Sequence, residues 1–372
     1  MNLQTVFCPN MDCPARGKIE CGNIHPHSQI EKRCRCDVCD TTFSTTKGTI
    51  FYRLKTDPKI VMLVIVLLAY GCPLTAIVAA FGFDRRTIKK WWLRAGAQCK
   101  VVHEQQIECA KLDLQQVQAD EIKVKAWGRS LWMGLSIMVS SRLWLGGVVS
   151  QSRDKQMIDT LLSTIRKVAL CRPLLVAVDG LPHYIGAIRR ALRTADHQGK
   201  RSRPRLIAWP NIHIGRVIKR KCAGELTIER QFIAGCRQKA VALIVKSQGK
   251  VGVLNTAYIE RLNATFRQRL VWLTRRSRVL AHQAETITAS MYIVGCCYNF
   301  CDKHKSLRIR LSFGSFGHRW IQRTPAMAAG LADHIWSHQE LLSLRLPPPN
   351  WQPPKQRGRR SKALQTLIDR WC

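Results

Sequence analysis

Carboxylates are the scarce side chains of this sequence. Its 372 residues carry 24 Asp and Glu against 60 Lys and Arg, a formal charge of +36. That excess is far beyond what solubility needs and excludes a cationic partner, so a polyanion is expected and nucleic acid first among them. The basic residues also come in blocks without acids. His197 to Cys222 holds eight and Lys303 to Arg323 six, with no carboxylate in either. Long apolar runs are lacking too. The most apolar stretch, "IVMLVIVLLAYG" from Ile60 to Gly71, is too short to cross a bilayer of about 30 Å and reads as a buried helix. The Met1 end has no basic stretch leading into an apolar run, so no secretory leader is expected. Sixteen Cys in a chain of this length suit reduced thiols and metal ligation, and a cytoplasmic location follows.

At 46% hydrophobic the chain can bury a sizeable core, and the expected fold is multidomain α/β. In the first fifty residues Cys8 and Cys13 form one pair, and "RCRCDVC" supplies Cys34, Cys36 and Cys39. Two Cys knuckles joined by a loop suit tetrahedral zinc, which replaces a core that so short a module cannot build. Cys8, Cys13, Cys36 and Cys39 are the expected ligands, with Cys21, His25 and His27 as spare candidates.

Residues 51 to 100 read as a helix-turn-helix. Pro73 can start a short helix, "FGF" breaks it, and Asp84 can cap a second. On that second helix Arg85, Arg86, Lys89, Lys90 and Arg94 recur at three- and four-residue steps as a basic stripe fit for DNA. Ile88, Trp92 and Leu93 can pack inward.

From Gln115 to about residue 310 the period shortens. "QVQADEIKV", "LWMGLSIMVS" and "RLWLGGVVS" predict an antiparallel meander, and a helix is expected over Ser152 to Ala169, capped by Ser152. The buried strand "RPLLVAVDG" and the Pro-started helix "PHYIGAIRRAL" follow, giving β-β-β-α-β-α, a mixed sheet with helices on its faces. Within this block three carboxylates stand out. Asp120 lies in the first strand and Asp179 ends the fourth. Glu260, on a helix expected from about Asn255 to Leu270, is the only acid between Glu229 and Glu285 amid eleven Lys and Arg. Three acids on separate elements can converge on two divalent cations, magnesium or manganese, at a phosphodiester. Asp120 stands beside Glu121, and alternation puts the two on opposite faces, so one of them reads as an ordinary surface or salt-bridged group.

"ADEIKVKAWG", "VAVDGLPHY" and "YIERLNATFRQRL" resemble the three catalytic blocks of the DDE transposases of the bacterial insertion sequence one family, and the resemblance extends to about Leu342, with "CCYNFCDKHKSLR" and "RTPAMAAGLADHIWS" similar to the tail of fused single-chain relatives. It implies an N-terminal zinc-binding module, a helix-turn-helix that binds the terminal inverted repeats, and an RNase H-like catalytic domain with Asp120, Asp179 and Glu260 as the metal-binding triad. Asn263 falls within the third motif, and Arg267, Arg269, Arg275 and Arg276 would contact the DNA backbone. The partners implied are double-stranded DNA at the element ends and the target, and a further copy of the chain, since pairing two ends needs at least a dimer. The location implied is a bacterial cytoplasm, at the nucleoid. A transposase-derived regulator that binds ends without cutting is the alternative. One departure is the eighty residues that separate Asp179 from Glu260. The segment from about 197 to 250 reads as an inserted basic hairpin, and Glu225 and Glu229 stand as alternatives for the third acid. Beyond a helical extension over 311 to 344, the chain from Arg345 reads as a Pro-rich basic linker that forms no packed element, with "QRGRR" resembling an AT-hook and "ALQTLIDRWC" as a short amphipathic helix.

Overall fold

In a computed structural model, residues 3, 6–196, 204–222, 225–249, 252–274, 279–312, 318–353, 358 and 360–371 are described. They form two compact units, residues 1–61 with 342–372, and residues 62–341. Among the described residues there are eleven α-helices, and none is long and apolar enough to cross a membrane.

The first unit holds a three-stranded antiparallel sheet, β1 (Ile24–Ser28), β2 (Arg33–Cys36) and β3 (Thr42–Ser44). Its small core joins Val6, Cys8, Cys13, Ile24, Cys34, Cys36 and Phe43 to a residue from the far end of the chain, the buried Trp371. The C-terminal segment is therefore part of this unit, unlike the linker expected. Arg16 donates from Nε to Pro349 O (2.7 Å) and from NH2 to Asn350 O (2.8 Å), and the Lys18 ammonium lies 5.5 Å from the Trp371 ring centroid. The helix carrying Trp371 spans Lys362–Trp371 (α11). Most of the AT-hook-like stretch lies outside the described residues.

The second unit is built on a six-stranded mixed sheet. Three strands make the expected meander, β4 (Gln116–Ala126), β5 (Arg129–Met138) and β6 (Trp144–Ser150). The fully buried β7 (Leu174–Val178) pairs parallel with β4, as its continuous apolar sequence requires. The segment read as an inserted hairpin is partly built into this sheet. Its strand β10 (Ile212–Cys222) pairs parallel with β7 and antiparallel with β11 (Glu225–Ala234), so the order is β11-β10-β7-β4-β5-β6. A separate ribbon, β8 (Arg193–Asp196) with β9 (Arg205–Ala208), precedes it.

Helices cover both faces. On one lie α4 (Lys155–Val168), whose Met157 and Leu161 meet Gly134 of β5, and α5 (His183–Ala191). The cap of α4 is Asp154, which accepts from Met157 N at 2.9 Å, and not Ser152 as expected. Ser152 instead donates to the Asp154 carboxylate. On the other face α6 (Arg237–Gln248) covers β7 and β10, while α7 (Ala257–Arg269) and α8 (Ala284–Cys296) cover β4 and β5.

Preceding the sheet, α1 (Pro58–Ala69) buries only one stripe, leaving Leu63 and Leu67 exposed, so the expected fully buried helix is amphipathic in its burial. Then α2 (Leu74–Phe81), a turn through Gly82 in the left-handed region, and α3 (Arg85–His103) follow. Asp84 caps α3 by accepting from Arg86 N. The buried stripe of α3 runs through Ile88, Trp91, Trp92, Ala95, Gly96, Cys99 and Val102 and lies along α8, with Leu93 only half-buried. A Cβ on Gly96 would stand 2.3 Å from Ala289 Cβ, so glycine permits this close approach. The expected helical extension holds a hairpin, β12 (Ile309–Ser312) with β13 (His318–Ile321), and two short helices, α9 (Pro325–Ala328) and α10 (His338–Ser343).

Candidate functional sites: an acidic cavity and a four-cysteine cluster

The acids of the sheet meet because strand order and helix phase bring them together. The register pairs Ala119 with Val178, so Asp120 and Asp179 stand level on neighbouring parallel strands. Gln118, two residues before Asp120 and on the same face, fixes the start of α7. Its Oε1 accepts from Tyr258 N and Ile259 N, both at 3.0 Å, satisfying amides that a helix leaves free at its first turn. Glu260, Asn263 and Arg267 then follow at i, i+3 and i+7, on the helix face toward β4. Ile259, Leu262 and Phe266 fill the core behind.

A cavity of about 570 Å³ results, lined by Asp120, Asp179, Gly180, Lys219, Thr256, Glu260, Asn263 and Arg267 among others. All three acids singled out in the sequence therefore face one space. Asn263 Nδ2 donates to Asp120 Oδ2 at 2.7 Å. Asp179 is pinned at both oxygens, Oδ1 by Leu181 N (2.9 Å) and Oδ2 by Arg153 (3.1 Å), so the "DGLP" turn and the cavity use the same side chain. Glu260 accepts from Thr256 Oγ1 at 2.6 Å and from the Lys219 ammonium.

A fourth acid, Glu121, lies close by. Asp120, Glu121 and Asp179 each offer an oxygen within 4.8 Å of the others, whereas Glu260 stands outside that group. Glu121 has a fully buried side chain, and a buried carboxylate requires a cation. Arg153 supplies it at 2.8 Å, bridges to Asp179, and lies 5.3 Å from the Trp132 ring centroid. Alternation along β4 puts Asp120 and Glu121 on opposite faces, and the structure makes Glu121 the salt-bridged one. Nothing in the sequence marks Arg153 as its partner.

Crowding of these acids has an electrostatic consequence. Burial, then the neighbouring Glu121 and Asp179, push the Asp120 carboxyl up to about 7, and burial likewise raises Glu121. For Glu260 burial acts upward but is outweighed by the hydrogen bonds from Lys219 and Thr256, which hold it below the usual range. Hard oxygen donors drawn this close are a fit for a divalent cation. Asn263 Oδ1, in the same wall, is buried without a hydrogen-bond partner. Glu225 and Glu229 are exposed on β11 and do not line the cavity.

In the first unit Cys8, Cys13, Cys36 and Cys39 place their sulfurs within 4.8 Å of one another. The Cys8–Cys39 separation is 3.6 Å and the Cys13–Cys36 separation 3.9 Å. A tetrahedral thiolate site with metal–sulfur bonds of about 2.3 Å has sulfur–sulfur edges of about 3.8 Å, so the cluster has the dimensions for a metal ion. Burial raises the Cys8 thiol and lifts Cys13 to about 12. At Cys39 burial is overcome by hydrogen bonds from Thr41, Asn10 and Cys8, which bring it down to about 6. Of the spare candidates, Cys21 is exposed and His25 pairs with Asp37 at 2.7 Å.

On α3, Arg85, Arg86, Lys89 and Lys90 are exposed, and Arg94 is half-buried. Arg267 reaches the cavity, but Arg269, expected at the DNA backbone, is turned into the protein. It pairs with Asp302 at 2.7 Å, lies over Tyr70, and is only 12% exposed, because Asp302 needs a cation. Arg275 and Arg276 lie outside the described residues. No protein-family model and no curated protein matches the chain.

Proposed function

We propose that the chain is a DDE transposase of the kind its motifs resemble. In this reading α2 and α3 form the helix-turn-helix that binds the element's inverted repeats, and the mixed sheet is an RNase H-like catalytic domain. The cysteine cluster binds zinc. One observation carries the proposal: Asp120, Asp179 and Glu260, from two strands and a helix spread over the sequence, line a single cavity in a protein of charge +36. Carboxylates facing a phosphodiester repel it unless a cation lies between them, which gives these few acids a purpose in a basic chain.

Two magnesium or manganese ions held by Asp120, Asp179 and Glu260 would activate the attacking hydroxyl and stabilise the leaving oxygen. The protein's own groups orient those ligands. Asn263 holds Asp120, the Leu181 amide and Arg153 hold Asp179, and Thr256 holds Glu260. With Glu260 holding a metal, Lys219 would be left to pair with a DNA phosphate, and Arg267 would supply a second cation in the cavity wall. Water cleaves the phosphodiester at the element end and leaves a 3'-hydroxyl, which displaces a 3'-oxygen in target DNA to join the strands.

The test uses labelled duplexes from the DNA flanking the gene, with magnesium or manganese, and compares wild type with Asp179→Asn and Glu260→Gln. Cleavage and joining are expected to fall by roughly 1,000-fold or more in both variants, the equivalent of several kcal/mol of transition-state stabilisation, with end binding retained. Binding of ends without cleavage by wild type identifies a non-catalytic regulator instead. Cleavage that survives Glu260→Gln transfers the third ligand to Glu121, whose oxygen already lies with those of Asp120 and Asp179.

A further inference from the structure

The hairpin joining β4 to β5 turns through Trp127 and Gly128, and Trp127 is 69% exposed, the most exposed aromatic among the described residues. Exposing an indole on a protein surface forgoes the large stabilisation its burial gives, and a fixed exposed ring is suited to a partner. Trp127 is fixed. Its backbone N–H donates to Ala281 O (3.0 Å), Ala281 N donates to Lys125 O (2.8 Å), and the indole stacks on the exposed His282 ring at 6.1 Å between centroids and 27° between planes.

The surroundings are cationic. Next to His282, Gln283 accepts from Lys89 Nζ at 2.6 Å, so the stacked rings adjoin the exposed basic face of α3 with Arg85, Arg86 and Lys90. Lys123 is exposed on the strand leading to the tip, and Glu285 is the nearest carboxylate in the segment that follows. A flat aromatic face beside phosphate-binding cations is the arrangement that holds single-stranded nucleic acid, since every base has a face to stack. Inside a duplex both faces of each base are already covered, so away from a duplex end the occupant is an unpaired base.

We propose that Trp127, backed by His282, is a stacking platform for an unpaired DNA base next to duplex held on α3. This rests on the DNA-binding reading above and adds to it a single-stranded element in the substrate. The tip lies seven residues beyond Asp120 along β4, about 23 Å at 3.3 Å per residue. That span matches on the order of seven stacked nucleotides, which sets the distance between the gripped base and the phosphodiester at the acids.

The experiment measures binding by fluorescence anisotropy for wild type, Trp127→Ala and Trp127→Phe. The ligands are a flush-ended duplex of the flanking DNA and the same duplex with a short single-stranded overhang. Trp127→Ala is expected to lose roughly 5- to 150-fold on the overhang substrate, with flush duplex unchanged, and Trp127→Phe to recover most of the loss. A stacking contact adds no phosphate neutralisation, so the salt dependence stays as in wild type for Trp127→Ala, while Lys89→Ala lowers the slope by about 0.9. Unaltered overhang binding by Trp127→Ala, or equal losses on both substrates, overturns the platform and leaves the transposase reading standing. Failure of wild type to bind either DNA overturns both.

Discussion

Asp120 is the residue at which burial and charge conflict. Its carboxyl titrates at about 7 in the folded protein against an ordinary value of 3.8, so the folded state holds a proton that the unfolded chain has lost. A raised acid stabilises the folded form below its unfolded value, and the contribution is lost as pH rises from about 4 to 7, in total about 4 kcal/mol at most. Without added divalent cation, the unit bearing the sheet should therefore resist denaturant less at pH 8 than at pH 5. Asp120→Asn should remove much of that dependence and raise stability at pH 8, measured by urea denaturation at both values. Magnesium should stabilise wild type at pH 8 and leave the variant unchanged. A wild-type midpoint that rises toward pH 8 would contradict this account. Asp179 and Glu260 could be picked from the sequence because each is isolated within a basic field, whereas Asp120 stands beside Glu121 and is marked by its strand and motif. Their neighbours Arg153 and Lys219 could not, because single basic residues carry no distinguishing pattern in a chain with 60 of them.

The elements of the sheet follow from local pattern, and their junctions do not. Alternation yields β4 to β6, and an unbroken apolar run yields β7, because side-chain period and two-sided burial leave marks on any sequence. The cap of α4 moved from Ser152 to Asp154 because both residues can accept from an amide, and only the path of the preceding strand selects one. Strand β10 reads as part of an insertion in the sequence because its pairing with β7 is nonlocal. The contact between α3 and α8 is likewise invisible in the sequence, yet it orients the basic face of α3. Gly96→Ala tests it. With Ala289 Cβ only 2.3 Å from the added methyl, the helices must part, at an expected cost of about 1–3 kcal/mol or more. A lower thermal midpoint should result. A gain, as expected from helix propensity alone, would show that the helices are less closely packed.

At the scale of the molecule, the chain's two ends make one unit. Trp371 completes the core around the cysteine cluster, so Trp371→Ala should cost this unit about 3–5 kcal/mol and, in protein loaded with zinc, accelerate release of the ion to a chelator, followed with a colorimetric dye. Cys36→Ser should abolish stoichiometric zinc retention, since binding free energy and folding free energy are shared in so small a core. Metal release at the wild-type rate by Trp371→Ala would show that the C-terminal helix only covers the cluster. By itself the sequence determined the charge, the four candidate cysteines, the types of α2, α3 and the elements from β4 to α5, and the three candidate acids, because composition and short-range periodicity are properties of the chain. The tertiary structure alone decided that the acids share one cavity, that Glu121 joins two of them, that Arg269 turns inward onto Asp302, and that the last helix returns to the first residues. Those outcomes depend on pairing between residues far apart in sequence, and their free energy appears only when distant surfaces meet.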